Sequence, residues 1–322
     1  MLMVPDPNGT EPIPGKEGNM QTTFYMLVGM PGSGKSCWAD QMALQGISVH
    51  SSDAIRAELL HDENCQDNPR MIFREMEKRA MADLKQGHSC IYDATNVSRK
   101  RRISFLRNVP GNIRKVCVLF LVQPEVCRKR DAERSRTVGT DVIDKFLRSF
   151  HCPYWYEGWD EIIPVIDDAS FSFPIESMVS FPQDNPHHRL TLGKHMQTAY
   201  QYCIANDHPY EVQIAAAYHD CGKFFTKKFE NSKGVPTESA HYYGHENYGT
   251  YLFLLDAYQG NERWKYGGFE KTLYIAQLIN WHMRPFEAWG VLEEPKDADR
   301  KLLGEKMISD IINLHTADAQ AH

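Results

Sequence analysis

Two sets of residues in this chain have the types and spacing that phosphate chemistry needs. Gly29 to Ser36 reads GMPGSGKS, a match to G-x-x-x-x-G-K-[ST]. Backbone N–H groups of such a loop wrap a triphosphate at the positive end of a helix. Gly29, Gly32, Ser33 and Gly34 would form the cradle, Lys35 would neutralise the β and γ oxygens, and Ser36 would hold Mg2+, so ATP with Mg2+ is the expected cofactor. The second set is scattered: His195, the doublet His219-Asp220 within YHDCGK, His241, His245, His282 and Asp318. Imidazole with carboxylate suits a divalent transition metal such as Mn2+, Ni2+, Co2+ or Fe, or Zn2+, rather than Ca2+.

Further candidates stand around the phosphate loop. ISVHSSD ends on Asp53, and CIYDATN carries Asp93, Thr95 and Asn96. The C-terminal ends of strands in a parallel sheet point into the ligand crevice. A carboxylate there can accept the proton of an attacking hydroxyl, and Arg56, three residues after Asp53, can hold an anionic acceptor. Position 53 equally suits a helix N-cap. In PEVCRKRDAERSR, Arg130 and Arg134 are four apart on one helix face and can close over a transferring phosphoryl group. Arg128 and Arg136 read as a solvated basic face. RKRR at 99–102 reads either as a track for nucleic-acid phosphates or as a charged helix face.

These residues need elements to position them. FYMLV, the Gly-rich loop and CWADQMALQ give strand, turn and helix in the order the motif requires. PRMIFREMEKRAMADLKQG places Ile72, Met76 and Leu84 at helical spacing, which predicts a crossover helix, and VCVLFLV predicts a buried strand. The expected architecture over residues 22–160 is an α/β P-loop domain, a parallel sheet flanked by helices. Residues 1–21, rich in Pro and Gly, are expected to be a disordered leader, and 161–186 a Pro-rich linker. From 187 to 322 the periodicity is helical, which predicts an all-α bundle whose facing helices project His and carboxylate ligands inward. His241 and His245, four apart, compete for one inward position. His187 and His188 either line the entrance to that site or belong to the linker.

The first half resembles the kinase domain of the phage polynucleotide kinase/phosphatase family. The likeness rests on GMPGSGKS, SSDAIR, DATN and the K-R-x-x-x-R stretch at Lys129, Arg130 and Arg134, over roughly residues 22–155. It implies that Asp53 is the general base toward a 5′-hydroxyl and that Arg56 contacts the acceptor phosphate. Asp93 would support the acceptor side, with Arg130 and Arg134 in a lid over the ATP phosphates. The second half resembles the HD phosphohydrolase superfamily through LGKHM, YHDCGK, GHENYG, NWHM and TADAQAH. That likeness implies a first metal on His195, His219, Asp220 and Asp318, and a second metal or the substrate phosphate on His245 and His282. Lys223 would neutralise phosphate charge.

The net charge of −6 argues against coating long nucleic acid but leaves room for gripping an end. Eight scattered cysteines without a C-x-x-C pair point to reduced thiols and a cytoplasmic setting. The implied function joins a 5′-hydroxyl polynucleotide kinase to a metal-dependent 2′,3′-phosphoesterase, both acting on nucleic-acid termini, RNA before DNA, ahead of an RNA ligase. D-x-x-R and DATN also occur in small-metabolite P-loop kinases, so the alternative is a metabolite or nucleoside kinase fused to an HD nucleotidase. A non-catalytic nucleotide sensor is the third reading.

Overall fold

Strand β1 (Thr23–Val28) is apolar on nearly every side chain and buried on both faces of its sheet, the pattern of a central parallel strand. The computed structural model describes residues 21–62, 67–134, 136–167, 171–186, 189–258, 264–290 and 294–321. The leader expected at 1–21 thus lies almost wholly outside the described residues, as do His187 and His188. The chain divides into one unit of Met1–Asp144 with Pro153–Ala169 and another of Lys145–Cys152 with Ser170–His322.

In the first unit β1 leads through the Gly-rich loop into α1 (Lys35–Ala43), then β2 (Ser48–Ser51), α2 (Ser52–Leu60), α3 (Pro69–Lys85), β3 (Cys90–Asp93), α4 (Arg99–Leu106), β4 (Arg114–Leu121) and α5 (Pro124–Ala132). Helix α6 (Thr140–Leu147) and strand β5 (Glu161–Ile166) follow. The five strands are parallel, in the order β2-β3-β1-β4-β5. The chain leaves β1 toward one side and returns to build β4 on the other, so the loop after β1 sits at the switch point where such sheets bind ligands. Helix α3 buries Ile72, Met76, Ala80 and Leu84, the stripe its spacing predicts. Under the sheet, Trp38, Ala39 and Met42 of α1 pack against Leu27, Ile91, Val118 and Phe120.

Two expectations need correction in this unit. Residues 161–166 are not linker: they form β5, paired with β4 from Val116↔Glu161 to Leu121↔Ile166. Pro164 disguises the strand, but an edge position tolerates a missing N–H. Arg102, within RKRR, tracks no phosphate. Its guanidinium is buried, donating to both Glu157 carboxylate oxygens at 2.6 and 2.7 Å and to the Asn96 carbonyl at 2.9 Å.

The second unit is largely helical. After the short α7 (Ile175–Val179) come α8 (Leu192–Ala205), α9 (Tyr210–Tyr218), α10 (Lys223–Thr226), α11 (His245–Ala257), α12 (Phe269–Trp281) and α13 (Asp297–Gln320), the last broken at Gly304. Helix α11 is buried along nearly its whole length, a helix that runs through the core. The all-α expectation is corrected by an antiparallel hairpin, β6 (Lys228–Glu230) and β7 (Pro236–His241). Its turn uses Gly234 with φ 76, and alternate exposure along β7 is strand rather than helix patterning. Among the described residues no helix is long and apolar enough to cross a membrane.

Candidate active sites

The phosphate loop follows from β1 running straight into α1. Gly32 adopts φ +80, and an added Cβ would lie 2.6 Å from the Cys127 carbonyl oxygen, so only glycine lets α5 approach the loop. Lys35 is buried, with Nζ donating to the Met30 carbonyl at 2.6 Å and within 3.5 Å of Ser33 Oγ. Burial pushes its pKa down to about 8 against the pull of Asp93, which marks an ammonium short of anionic partners. Ser36 Oγ donates to Asp93 Oδ2 at 3.0 Å. The Asp93 pKa is raised by burial, opposed by Lys35 and Ser36. Asp93, expected on the acceptor side, therefore bonds to the serine expected to hold Mg2+. A hydroxyl and a carboxylate side by side are the hard oxygen donors Mg2+ takes in such sites.

Asp53 lies in the first turn of α2, which is capped by Ser51, whose side chain accepts from the Asp53 N–H at 3.3 Å. The N-cap is thus Ser51, which leaves the Asp53 carboxylate for other work. Its Oδ1 accepts from Arg56 at 2.6 Å and lies 3.3 Å from Arg136 Nη1. Arg136, read from sequence as a solvated cation, belongs with the candidate base. Asp131 explains why: its buried carboxylate accepts from the N–H groups of Val138 at 3.0 Å and Gly139 at 2.9 Å, which folds the segment after α5 back on itself. Arg130 and Arg134 do not share a helix face, because α5 ends at Ala132. Arg130 pairs with Asp167 at 2.5 Å, and Arg134 is exposed, its charge opposing that of Lys35. Arg128 pairs with Asp144 and Glu125.

In the helical unit the scattered set converges. His195 Nε2 lies 3.1 Å from Asp220 Oδ2, 3.0 Å from Asp318 Oδ1 and 3.2 Å from His219 Nε2. His245 Nε2 lies 3.1 Å from Asp220 Oδ1 and 3.2 Å from His282 Nε2. Asp220, 1% exposed, thus turns one oxygen to His195, His219 and Asp318 and the other to His245 and His282. Each of the four rings donates its Nδ1–H to a backbone carbonyl: His195 to Ala321, His219 to Ala216, His245 to Tyr242 and His282 to Ile279, at 2.8 to 2.9 Å. That bond fixes the tautomer and aims each Nε2 lone pair inward, as in histidines that hold metals. Two facing lone pairs 3.2 Å apart repel unless positive charge lies between them. Burial works against a charged His195, yet Asp220 and Asp318 outweigh it and push its pKa up to about 10. His282 is raised in the same way by Asp220. Asp220 and Asp318 stay well below the usual carboxylate range despite burial, Asp220 through Lys223 and His219, Asp318 through His219 and His195. The donor set fits one or two divalent transition-metal cations.

Gly222 lets α10 and α11 meet, since a Cβ there would fall 2.0 Å from the His245 carbonyl oxygen. His241 is excluded from the cluster. It ends β7, with its ring stacked on Tyr243, and α11 starts only after Gly244. Lys223, expected on the phosphate, instead lies 2.6 Å from Asp220 Oδ2 and 3.3 Å from Gln183 Oε1.

Residues 24–153 match a family model described as an AAA domain. That match takes in the phosphate loop, the strands β1 to β4 and the helices between them in the first unit. A curated relative, transcription factor bHLH140 of Arabidopsis thaliana, is 24% identical over 169 residues, half of this chain. The match spans only 18% of that relative's length. Solved structures similar to the chain include a kinase from Chloroflexus aurantiacus J-10-fl (14% identity, TM-score 0.39, 46% of this chain and 87% of that one). They also include the Pnkp1/Rnl/Hen1 RNA repair complex (21%, 0.37, 41% and 45%) and a gluconokinase from Sinorhizobium meliloti 1021 (16%, 0.34, 46% and 85%).

Sequence reasoning missed three residues of these sites. Arg136 and Asp131 act through a loop that closes over seven and eight residues, which no short motif encodes. Gln183 sits in the stretch read as linker. In the sequence Asp131 stands only as an acid amid basic residues, within RKRDAERSR.

Proposed function

We propose that this chain heals nucleic-acid ends, RNA ends first. The kinase-type domain phosphorylates a 5′-hydroxyl with ATP. The helical unit, an HD-type phosphohydrolase, opens a 2′,3′-cyclic phosphate and clears the phosphate, leaving termini that an RNA ligase can join. One observation carries the reading: Asp220 bridges two sets of inward-facing histidines, 3.1 Å from His195 on one side and 3.1 Å from His245 on the other. A phosphoester cluster of this kind beside a kinase in one chain makes sense when the two act on different termini.

In the kinase step the 5′-hydroxyl oxygen attacks the γ-phosphorus while Asp53 takes its proton, and the bond to the β–γ bridging oxygen breaks as ADP leaves. Arg56 and Arg136 aim the carboxylate and offer positive charge to the acceptor. Lys35 and Arg134 meet charge on the phosphoryl oxygens. Ser36 and Asp93 would hold Mg2+, whose chemistry there would be to neutralise charge on those oxygens. In the helical unit His195, His219, Asp220, Asp318, His245 and His282 would hold divalent cations, whose chemistry is to lower the pKa of a water and polarise a phosphoryl oxygen. Lys223 steadies Asp220 and stands ready to share its charge with an incoming phosphate.

The test is an RNA with a 5′-hydroxyl and a 2′,3′-cyclic phosphate, incubated with ATP and Mn2+ and analysed at both ends. Phosphate gained at the 5′ end and lost at the 3′ end supports the proposal. Transfer to a small metabolite with none to the oligonucleotide overturns it.

A further inference from the structure

A pocket of about 240 Å3 opens in the helical unit beside the β6–β7 hairpin. Arg148, Thr226, Lys228, Glu230, Asn231 and Tyr243 line it. It neighbours the histidine cluster through two elements. Thr226 closes the one-turn helix that Lys223 opens, and Tyr243 precedes His245 by two positions. Thr226 is one helical turn from Lys223, whose Nζ lies 2.6 Å from Asp220 Oδ2, and Tyr243 is at most about 7 Å of chain from His245.

The lining has the chemistry of a nucleotide site. Among the described residues neither Arg148 nor Lys228 has its cation in an ion pair, so both charges are available to an anion. Tyr243 is 47% exposed, its ring lying parallel to His241 at 5.5 Å, which makes a platform for a base. Glu230 and Asn231 supply polar atoms for sugar hydroxyls or base amines.

We infer that this pocket is the subsite for the nucleotide preceding the terminal phosphoester. The helical unit then prefers the end of a single strand to a free mononucleotide. The inference rests on the phosphoesterase reading above.

Two measurements on the full chain test it. The first compares hydrolysis of a mononucleoside 2′,3′-cyclic phosphate with that of a trinucleotide ending in the same group. Arg148→Ala and Tyr243→Ala should each raise KM for the trinucleotide about tenfold and leave the mononucleotide unchanged, while Tyr243→Phe behaves as the parent. Equal losses on both substrates, or none on either, overturn the subsite. The second is photocrosslinking of a 5′-phosphorylated RNA, which is no kinase acceptor, carrying 4-thiouridine at its penultimate position and a 3′-phosphate. A crosslink to the peptides bearing Arg148 or Tyr243 supports the subsite, and a crosslink elsewhere or none overturns it. Absence of hydrolysis with a crosslink in the pocket defeats the phosphoesterase reading and leaves the nucleotide site standing. Hydrolysis with the crosslink elsewhere does the reverse.

Discussion

Arg136 Nη1 lies 3.3 Å from Asp53 Oδ1, the same oxygen that accepts from Arg56 at 2.6 Å. Two guanidinium groups from distant parts of the chain thus converge on one carboxylate. They hold it in one orientation and, on arrival of an acceptor, one of them can turn to the incoming phosphate.

Removing Arg136 should therefore cost catalysis more than folding. Arg136→Ala is expected to lower 5′-kinase kcat/KM by roughly 10- to 100-fold, measured as label transfer from ATP to a 5′-hydroxyl oligonucleotide. The melting temperature should hold. Arg136→Lys should recover little, because an ammonium cannot reproduce the planar contact.

Asp131 shapes the segment that delivers Arg136. Asp131→Ala removes the acceptor for the Val138 and Gly139 N–H groups and should destabilise the P-loop unit by about 1–3 kcal/mol. Proteolysis should open cleavage within residues 133–139, and kinase activity should fall with phosphoesterase activity intact. An unchanged cleavage pattern would count against the tethering role.

The two activities should separate cleanly by mutation. Asp53→Ala should abolish kinase activity alone, and Asp220→Ala phosphoesterase activity alone, each by more than about 10³-fold. The parent protein should carry transition metal measurable by elemental analysis, and Asp220→Ala should lose it. Chelation should lower the thermal stability of the helical unit, since a cation bound at 100 times its Kd contributes about 2.7 kcal/mol.

Arg102 and Glu157 make a stability prediction independent of either activity. Arg102→Ala leaves a buried carboxylate whose other donor is Trp159 Nε1 at 3.1 Å, at a cost of about 3–5 kcal/mol in denaturant titration. Replacing the pair together, Arg102→Met with Glu157→Leu, should cost markedly less, because no buried charge is then stranded.

The contrast between Lys35 and Arg136 explains what the sequence could disclose. Lys35 belongs to an eight-residue motif whose geometry is local, so type and spacing suffice to place it where the loop after β1 enters α1. The histidines were also readable, because a helix presents a residue type to its neighbours at fixed angles and several such residues recur one per helix. Arg136 reaches Asp53 only because Asp131 closes a loop around two backbone amides, a contact that depends on the folded path. Pro164 hid β5 because a proline argues against a strand until its edge position is known. His241 and His245 were inseparable by spacing alone, and Gly244, φ 74, separates them by ending the hairpin before the helix begins. Lys223 was read toward the substrate, but burial beside Asp220 gives it a protein partner first.

The four carbonyl bonds that aim the cluster are not equivalent. His219, His245 and His282 each lean on the residue three places earlier, a partner made as soon as its own turn forms. His195 leans on Ala321, 126 positions away, just past the end of α13, and Asp318 lies in α13. During synthesis, then, the half built from Asp220, His245 and His282 can form while the chain is still growing. The half built on His195 waits until α13 has been made and has docked.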